Sequence, residues 1–216
     1  MTSVKVNFIL VASNYSGASR WPVVYSIDMA MQQKDPKSDD NSALVEQVAQ
    51  ALEGKYGLSR KIAQEPETRD VIAQFIGRLE RAFGNLAAVK GKRILDVGCG
   101  SNTSRDPRTG KITPMFEPWF CRILVELGAE PVGIDLGDLE GEPFEHYRVD
   151  LAKTGALDFL PDSSFDAVHD SRIFGSPEFT TQHPDREDYG RISQEIKRQE
   201  QRLLKPGGVI IHTDIR

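Results

Sequence analysis

The chain has 216 residues, with 27 lysines and arginines against 32 aspartates and glutamates, and a formal net charge of −5. That length suffices for one α/β domain with a sizeable core, while an acidic balance without a long basic run argues against nucleic acid as the main partner. No apolar run reaches membrane-spanning length, no cationic-then-apolar leader opens the chain, two cysteines make no disulfide framework and no Cys/His cluster has zinc spacing, so a cytoplasmic protein without membrane or metal is the expectation.

Residues 4–12, Val4-Lys-Val-Asn-Phe-Ile-Leu-Val-Ala12, read as a strand, and Pro22-Val-Val-Tyr-Ser-Ile27 as a second. The polar stretch between them, with Gly17, makes the pair a hairpin with a long loop. Residues 32–42 are polar and read as a linker. Ser42 is placed to cap a helix over about 43–54, with Leu44, Val45, Val48 and Leu52 on one face. A second helix spans about 66–84: Val71, Ile72, Phe75, Ile76, Leu79 and Phe83 recur at helical spacing, and Pro66 suits the first turn. That apolar stripe reads as core packing. Residues 1–85 are therefore expected to form a hairpin plus helices packed on a core made by 86–216.

The core opens on Arg93-Ile-Leu-Asp-Val-Gly-Cys-Gly-Ser-Asn102. Ile94 to Val97 read as a buried strand, with Asp96 near its carboxyl end and Gly98 and Gly100 in a tight turn. Glycine lets a backbone bend sharply and approach a ligand closely, and open α/β sheets bind ligands at the carboxyl ends of their strands. Pro131-Val-Gly-Ile-Asp135 reads as a second strand ending in an acid, and Tyr147-Arg-Val-Asp-Leu151 as a third strand running into an acidic turn. Leu160-Pro-Asp-Ser-Ser-Phe-Asp-Ala-Val-His-Asp170 leads into a fourth. Leu203-Leu-Lys-Pro-Gly-Gly-Val-Ile-Ile-His212 ends a helix at Pro206, turns at Gly207 and Gly208, and enters a fifth over Val209 to Ile211. Cys99, in the glycine turn, and Cys121, on a helix, read as reduced small hydrophobes.

These five stretches, in this order over residues 90–216, resemble class I S-adenosylmethionine (SAM)-dependent methyltransferases. The resemblance implies a Rossmann-like, doubly wound, mostly parallel sheet with helices on both faces. It implies SAM as cofactor, with contacts from Asp96, Gly98, Cys99, Gly100, Asp135, Leu136, Asp150, Leu151 and His169. In that family the acid matching Asp135 accepts from the ribose hydroxyls. The one matching Asp150 accepts from the adenine amine, with the Leu151 amide toward a ring nitrogen. Asp166 matches a structural position. Read from residue type alone, Asp135 and Asp150 are equally turn or cap residues. Thr103 stands where a third glycine would complete a dinucleotide fingerprint, which argues against a nicotinamide-dependent oxidoreductase.

Two departures from the family pattern matter. Thr103 to Pro118 separates the glycine turn from the next helix, expected from near Glu117 through Trp119, Ile123, Leu124 and Leu127. This long loop is expected to wall the substrate side, with Phe116 and Trp119 closing over the ligand. The chain also stops at Arg216, directly after strand five, where the family continues with a hairpin of strands six and seven. The N-terminal hairpin is the candidate replacement, through pairing of 4–12 with 208–213. Otherwise an uncovered strand edge favours a homodimer.

Acid–base candidates are His169 and Asp170 at the end of strand four and His183 beyond it, each also explained by ordinary strand-end or loop hydrogen bonding. Arg172 is placed to hold an anionic acceptor. The stretch His169-Asp-Ser-Arg172 lacks the Asn/Asp-Pro-Pro-Tyr/Phe motif of the family's base-methylating members, so the expected acceptor is a small molecule first and a protein side chain second. The competing reading is a non-catalytic binding or scaffold protein that keeps the fold.

Overall fold

The structure, a computed structural model, describes residues 41–56, 66–103, 116–170 and 173–212. The hairpin expected over 4–12 and 22–28, its pairing with 208–213, residues 104–115 and Arg172 lie outside the described residues.

Among the described residues, five strands form one parallel sheet: β1 (Arg93–Val97), β2 (Glu130–Asp135), β3 (Glu145–Arg148), β4 (Phe165–Asp170) and β5 (Leu204–His212), in the order β3-β2-β1-β4-β5. β1 and β2 are buried on both faces along nearly their whole length, which is why they read as continuous apolar runs rather than alternating ones. β3 is short, mostly exposed and at an edge. It ends at Arg148, and Asp150 falls in the turn that follows.

Helices α1 (Ser42–Tyr56), α2 (Pro66–Phe83) and α3 (Trp119–Glu126) lie together. Leu79 of α2 and Phe120 and Leu124 of α3 pack on one face of the sheet with Ile94, Ala167 and Ile211. A short helix, α4 (Pro177–Gln182), precedes α5 (Tyr189–Leu203), whose Ile192, Ile196 and Leu203 pack on the other face with Leu95, Val97, Val132 and Val168. The sheet with helices is compatible with a Rossmann-like α/β fold. Ser42 is the first residue of α1 rather than its cap, and the Val45 amide donates to the Asn41 carbonyl at 2.9 Å.

The amino ends of the strands are fastened by Asp166. Its carboxylate accepts from the Arg93 amide (3.0 Å), Lys92 (3.3 Å) and Lys205 (2.7 Å). Burial alone would raise its pKa, but these donors, Lys205 foremost, hold it below the ordinary value. Among the described residues no helix is long and apolar enough to cross a membrane.

Candidate functional site

β1 is paired with β2 on one side and β4 on the other. The chain therefore winds away from β1 in both directions, and the carboxyl ends of β1, β2 and β4 meet where such sheets bind ligands. Gly98 and Gly100 follow β1 with φ of 77° and 92°, which L side chains rarely adopt. Asp135, at the end of β2, reaches across: one carboxylate oxygen accepts the Gly100 amide at 2.9 Å, the other the Gly137 amide at 2.8 Å. The bond to Gly137, two residues on, is the turn geometry that aspartate favours on its own. Asp150 does the same, accepting the Ala152 amide at 3.0 Å. Both acids therefore adopt the turn role open to them from residue type, while Asp135 also joins the glycine turn to the end of β2.

The crevice over that turn is lined by the protein's own backbone. The Ser101 amide donates to the Phe116 carbonyl at 2.8 Å, and a Cβ on Gly100 would overlap that carbonyl. The Asn102 amide donates to the Asp138 carbonyl at 2.9 Å, and the Ser101 side chain sits against Gly137. Phe116 thus closes on the turn through its main chain. Trp119 packs instead in the α1–α2–α3 cluster. Leu136 packs against the core, and its carbonyl accepts from the Arg148 Nε at 2.8 Å. Leu151 is buried.

Arg122 was not singled out in the sequence, yet it ties these segments together. Nearly fully buried, it forms an ion pair with Glu142 at 2.5 Å and another with Glu117, and donates to the Asn102 side chain at 3.0 Å. Its guanidinium lies over the rings of Tyr56 (4.0 Å) and Trp119 (4.6 Å). The available signal was a cation inside the apolar run Phe120-Cys-Arg-Ile-Leu-Val125.

The sequence candidates for acid–base chemistry separate. His169 is wholly buried, its Nδ1 2.7 Å from Asp96 Oδ1, and Asp96 is equally buried. The two face each other across β1 and β4. Phe120 lies 4.1 Å and Phe75 5.8 Å from the imidazole, centroid to centroid. Cys121 donates to the other Asp96 oxygen at 3.6 Å. A base must touch the proton it takes, and in this structure the imidazole presents no surface to solvent. His169 and Asp96 thus form a buried hydrogen bond between β1 and β4. Asp170 lies at the end of β4, half-buried, opposite Val97.

His183, after α4, is the reachable imidazole. Its Nε2 lies 3.0 Å from Asp150 Oδ1, with side-chain exposures of 26% and 20%. Its ring rests 4.8 Å from that of Phe179, and its carbonyl accepts from the Tyr189 hydroxyl at 3.0 Å. Two cavities adjoin this pair. One, of about 290 Å³, is lined by His183, Asp185, Asp188 and Arg191; the other, of about 430 Å³, by Tyr147, Arg148 and Phe159; Asp150 and Lys153 line both. Neither includes the glycine turn.

Cys99 and Cys121 are buried free thiols. Burial pushes the Cys99 thiol up to about 11 and raises that of Cys121, so both stay protonated and inert. Glu200, on α5, is wholly buried, and neither carboxyl oxygen has a hydrogen-bond partner among the described residues. Burial, with the charge of Asp170 adding to it and Lys197 opposing, pushes its pKa up to about 7. Among the described residues no three His, Cys, Asp or Glu side chains group as metal ligands.

No protein-family model matches the chain, and no curated protein matches it.

Proposed function

We propose that this protein is a SAM-dependent methyltransferase acting on a small molecule, built on a doubly wound Rossmann-like core. The observation that carries the reading is the joint between Asp135 and the glycine turn: an acid ending β2 holds the Gly100 amide of a turn that two positive-φ glycines shape after β1. The residue types suit the cofactor. Gly98 to Gly100 present backbone at close range, and the Asp135 carboxylate, oriented by two amides, offers acceptor oxygens to a pair of neighbouring hydroxyls. When bound, SAM supplies an electrophilic methyl on a sulfonium. The chain's part is to bind, orient and exclude water. Arg122 serves orientation, because it fixes Asn102 after the turn to Glu117 and Glu142 on the two flanking segments.

One observation favours a second reading, a non-catalytic protein that keeps the fold. The Phe116 carbonyl sits where a ligand would approach Gly100, and the 101–103 and 137–138 segments are hydrogen-bonded to each other. In the methyltransferase reading this is a closed state that opens for ligand.

Calorimetric titration with SAM and with S-adenosylhomocysteine separates the two. The expected result is saturable binding to the wild type, weakened about tenfold or more in Asp135→Ala, the order expected for a lost hydrogen bond to a charged group. Circular dichroism checks that the variant stays folded. A folded wild type that binds neither compound leaves the non-catalytic reading standing.

A further inference from the structure

Apolar aromatic side chains are normally covered, because each carries a large area that water disfavours. Phe159 is 50% exposed and Tyr147 36%, although their rings lie 4.8 Å apart at 62° and cover each other in part. Tyr147 stands on the edge strand β3, and Phe159 on the turn segment that follows Leu151. Together they line a shallow, open depression of about 430 Å³.

The charge around this wall has one sign to spare. Arg148 and Lys153 line the same cavity, and neither forms an ion pair among the described residues. Of the carboxylates nearby, Glu145 is matched by a cation, and Asp150, which lines the cavity, offsets one of these two positive charges. Glu145 is paired with Arg93 at 2.8 Å and accepts the Tyr147 hydroxyl at 2.8 Å. Asp150 takes His183 and the Ala152 amide. An exposed pair of rings bordered by two cations is complementary to a flat ring that carries a negative charge, since the ring covers the aromatics and the charge meets the cations.

We propose that the cavity over Tyr147 and Phe159 binds a small planar aromatic anion, such as an aromatic carboxylate, at a site separate from the glycine-turn crevice. Phe159 and Tyr147 supply the stacking surface, and Lys153 and Arg148 supply the charge. This assignment does not rest on the methyltransferase reading.

The test is titration of 2-naphthoate into the full chain, followed by amide chemical shifts. Cyclohexanecarboxylate (charge without an aromatic ring) and 2-naphthalenemethanol (ring without charge) serve as controls. A dissociation constant of roughly a millimolar is expected for a ligand of this size. Phe159→Ala should weaken binding roughly three- to tenfold, and Lys153→Ala roughly two- to fivefold. Both side chains are exposed, so the variants should keep the wild-type spectrum. Both controls should bind more weakly than 2-naphthoate, and saturating S-adenosylhomocysteine should leave its affinity unchanged. The proposal is overturned by a folded wild type that shows no saturable binding, by affinity unchanged in Phe159→Ala, by controls that bind as well, or by displacement with S-adenosylhomocysteine. Failure of S-adenosylhomocysteine to bind at all counts against the cofactor reading and leaves this titration readable.

Discussion

The molecule holds two histidine–aspartate pairs of similar length, 2.7 Å for His169–Asp96 and 3.0 Å for His183–Asp150, in opposite surroundings. In the first, both side chains are wholly buried between β1, β4 and the aromatic rings of α2 and α3. The second lies at the surface where two cavities meet. The contact is the same and its consequence differs, because burial sets both what breaking the contact costs and what can reach it. An interior pair holds strands together and touches no solute. A surface pair adds little to stability and is open to chemistry.

The largest effect that tests this contrast is the loss of one interior partner. Asp96→Ala or His169→Ala should destabilise the fold by about 3–5 kcal/mol, because either leaves a polar group buried without its partner. Urea unfolding measures this. The double variant Asp96→Leu with His169→Leu should be less destabilised than the two single losses added together. An individual loss below about 1 kcal/mol would remove the distinction between the pairs.

Glu200 sharpens the comparison as a third case, a buried carboxyl with no hydrogen-bond partner among the described residues. Its pKa rises from 4.5 to about 7 in the fold, so around pH 6 the folded chain holds a proton that the unfolded chain has released. Its stabilising contribution is therefore full below pH 4.5 and is lost as pH rises through 7, by roughly 3 kcal/mol in all. Other groups being equal, the melting temperature should fall between pH 5 and 8, and Glu200→Gln should flatten that slope. A wild type and variant with parallel pH profiles would mean that Glu200 finds a partner in solution.

How much of this could be read in the sequence depended on whether one segment or several decide the matter. β1 and β2 are legible because a strand buried on both faces is apolar throughout, and the glycine turn because two positive-φ positions after a strand demand glycine. β3 is fainter, since an exposed edge strand carries little apolar signal, while the turn after it is marked by Asp150, which bends the chain locally. The fate of His169 was hidden, since which way a strand residue points is visible only once Phe75 and Phe120 close over it from two other helices. Arg122 was hidden for the same reason: its partners Tyr56, Asn102, Glu117 and Glu142 come from four separate stretches. Glu200 left a faint mark, a carboxyl among Ile192, Ile196 and Leu203 on the buried stripe of α5.

The smallest expected change in stability belongs to the surface pair. Its value is that the same experiment reads access. His183→Ala should cost less than about 1 kcal/mol, as exposed ion pairs do, and a double-mutant cycle with Asp150→Asn should give a coupling of roughly 0.2–1 kcal/mol. Acylation of the native protein with diethyl pyrocarbonate, mapped by mass spectrometry, should mark His183 well before His169. The reagent must touch a ring nitrogen, and only His183 of the two presents its ring to solvent. Unfolding in urea should erase the difference. If the native chain is marked at His169 as fast as at His183, the interior pair opens often enough to meet solute, and His169 returns as a group able to take a proton from a ligand. If only His183 is marked, then of these two histidines His183 alone can exchange a proton with a bound molecule, because a base acts only on a proton within hydrogen-bond reach or one water away.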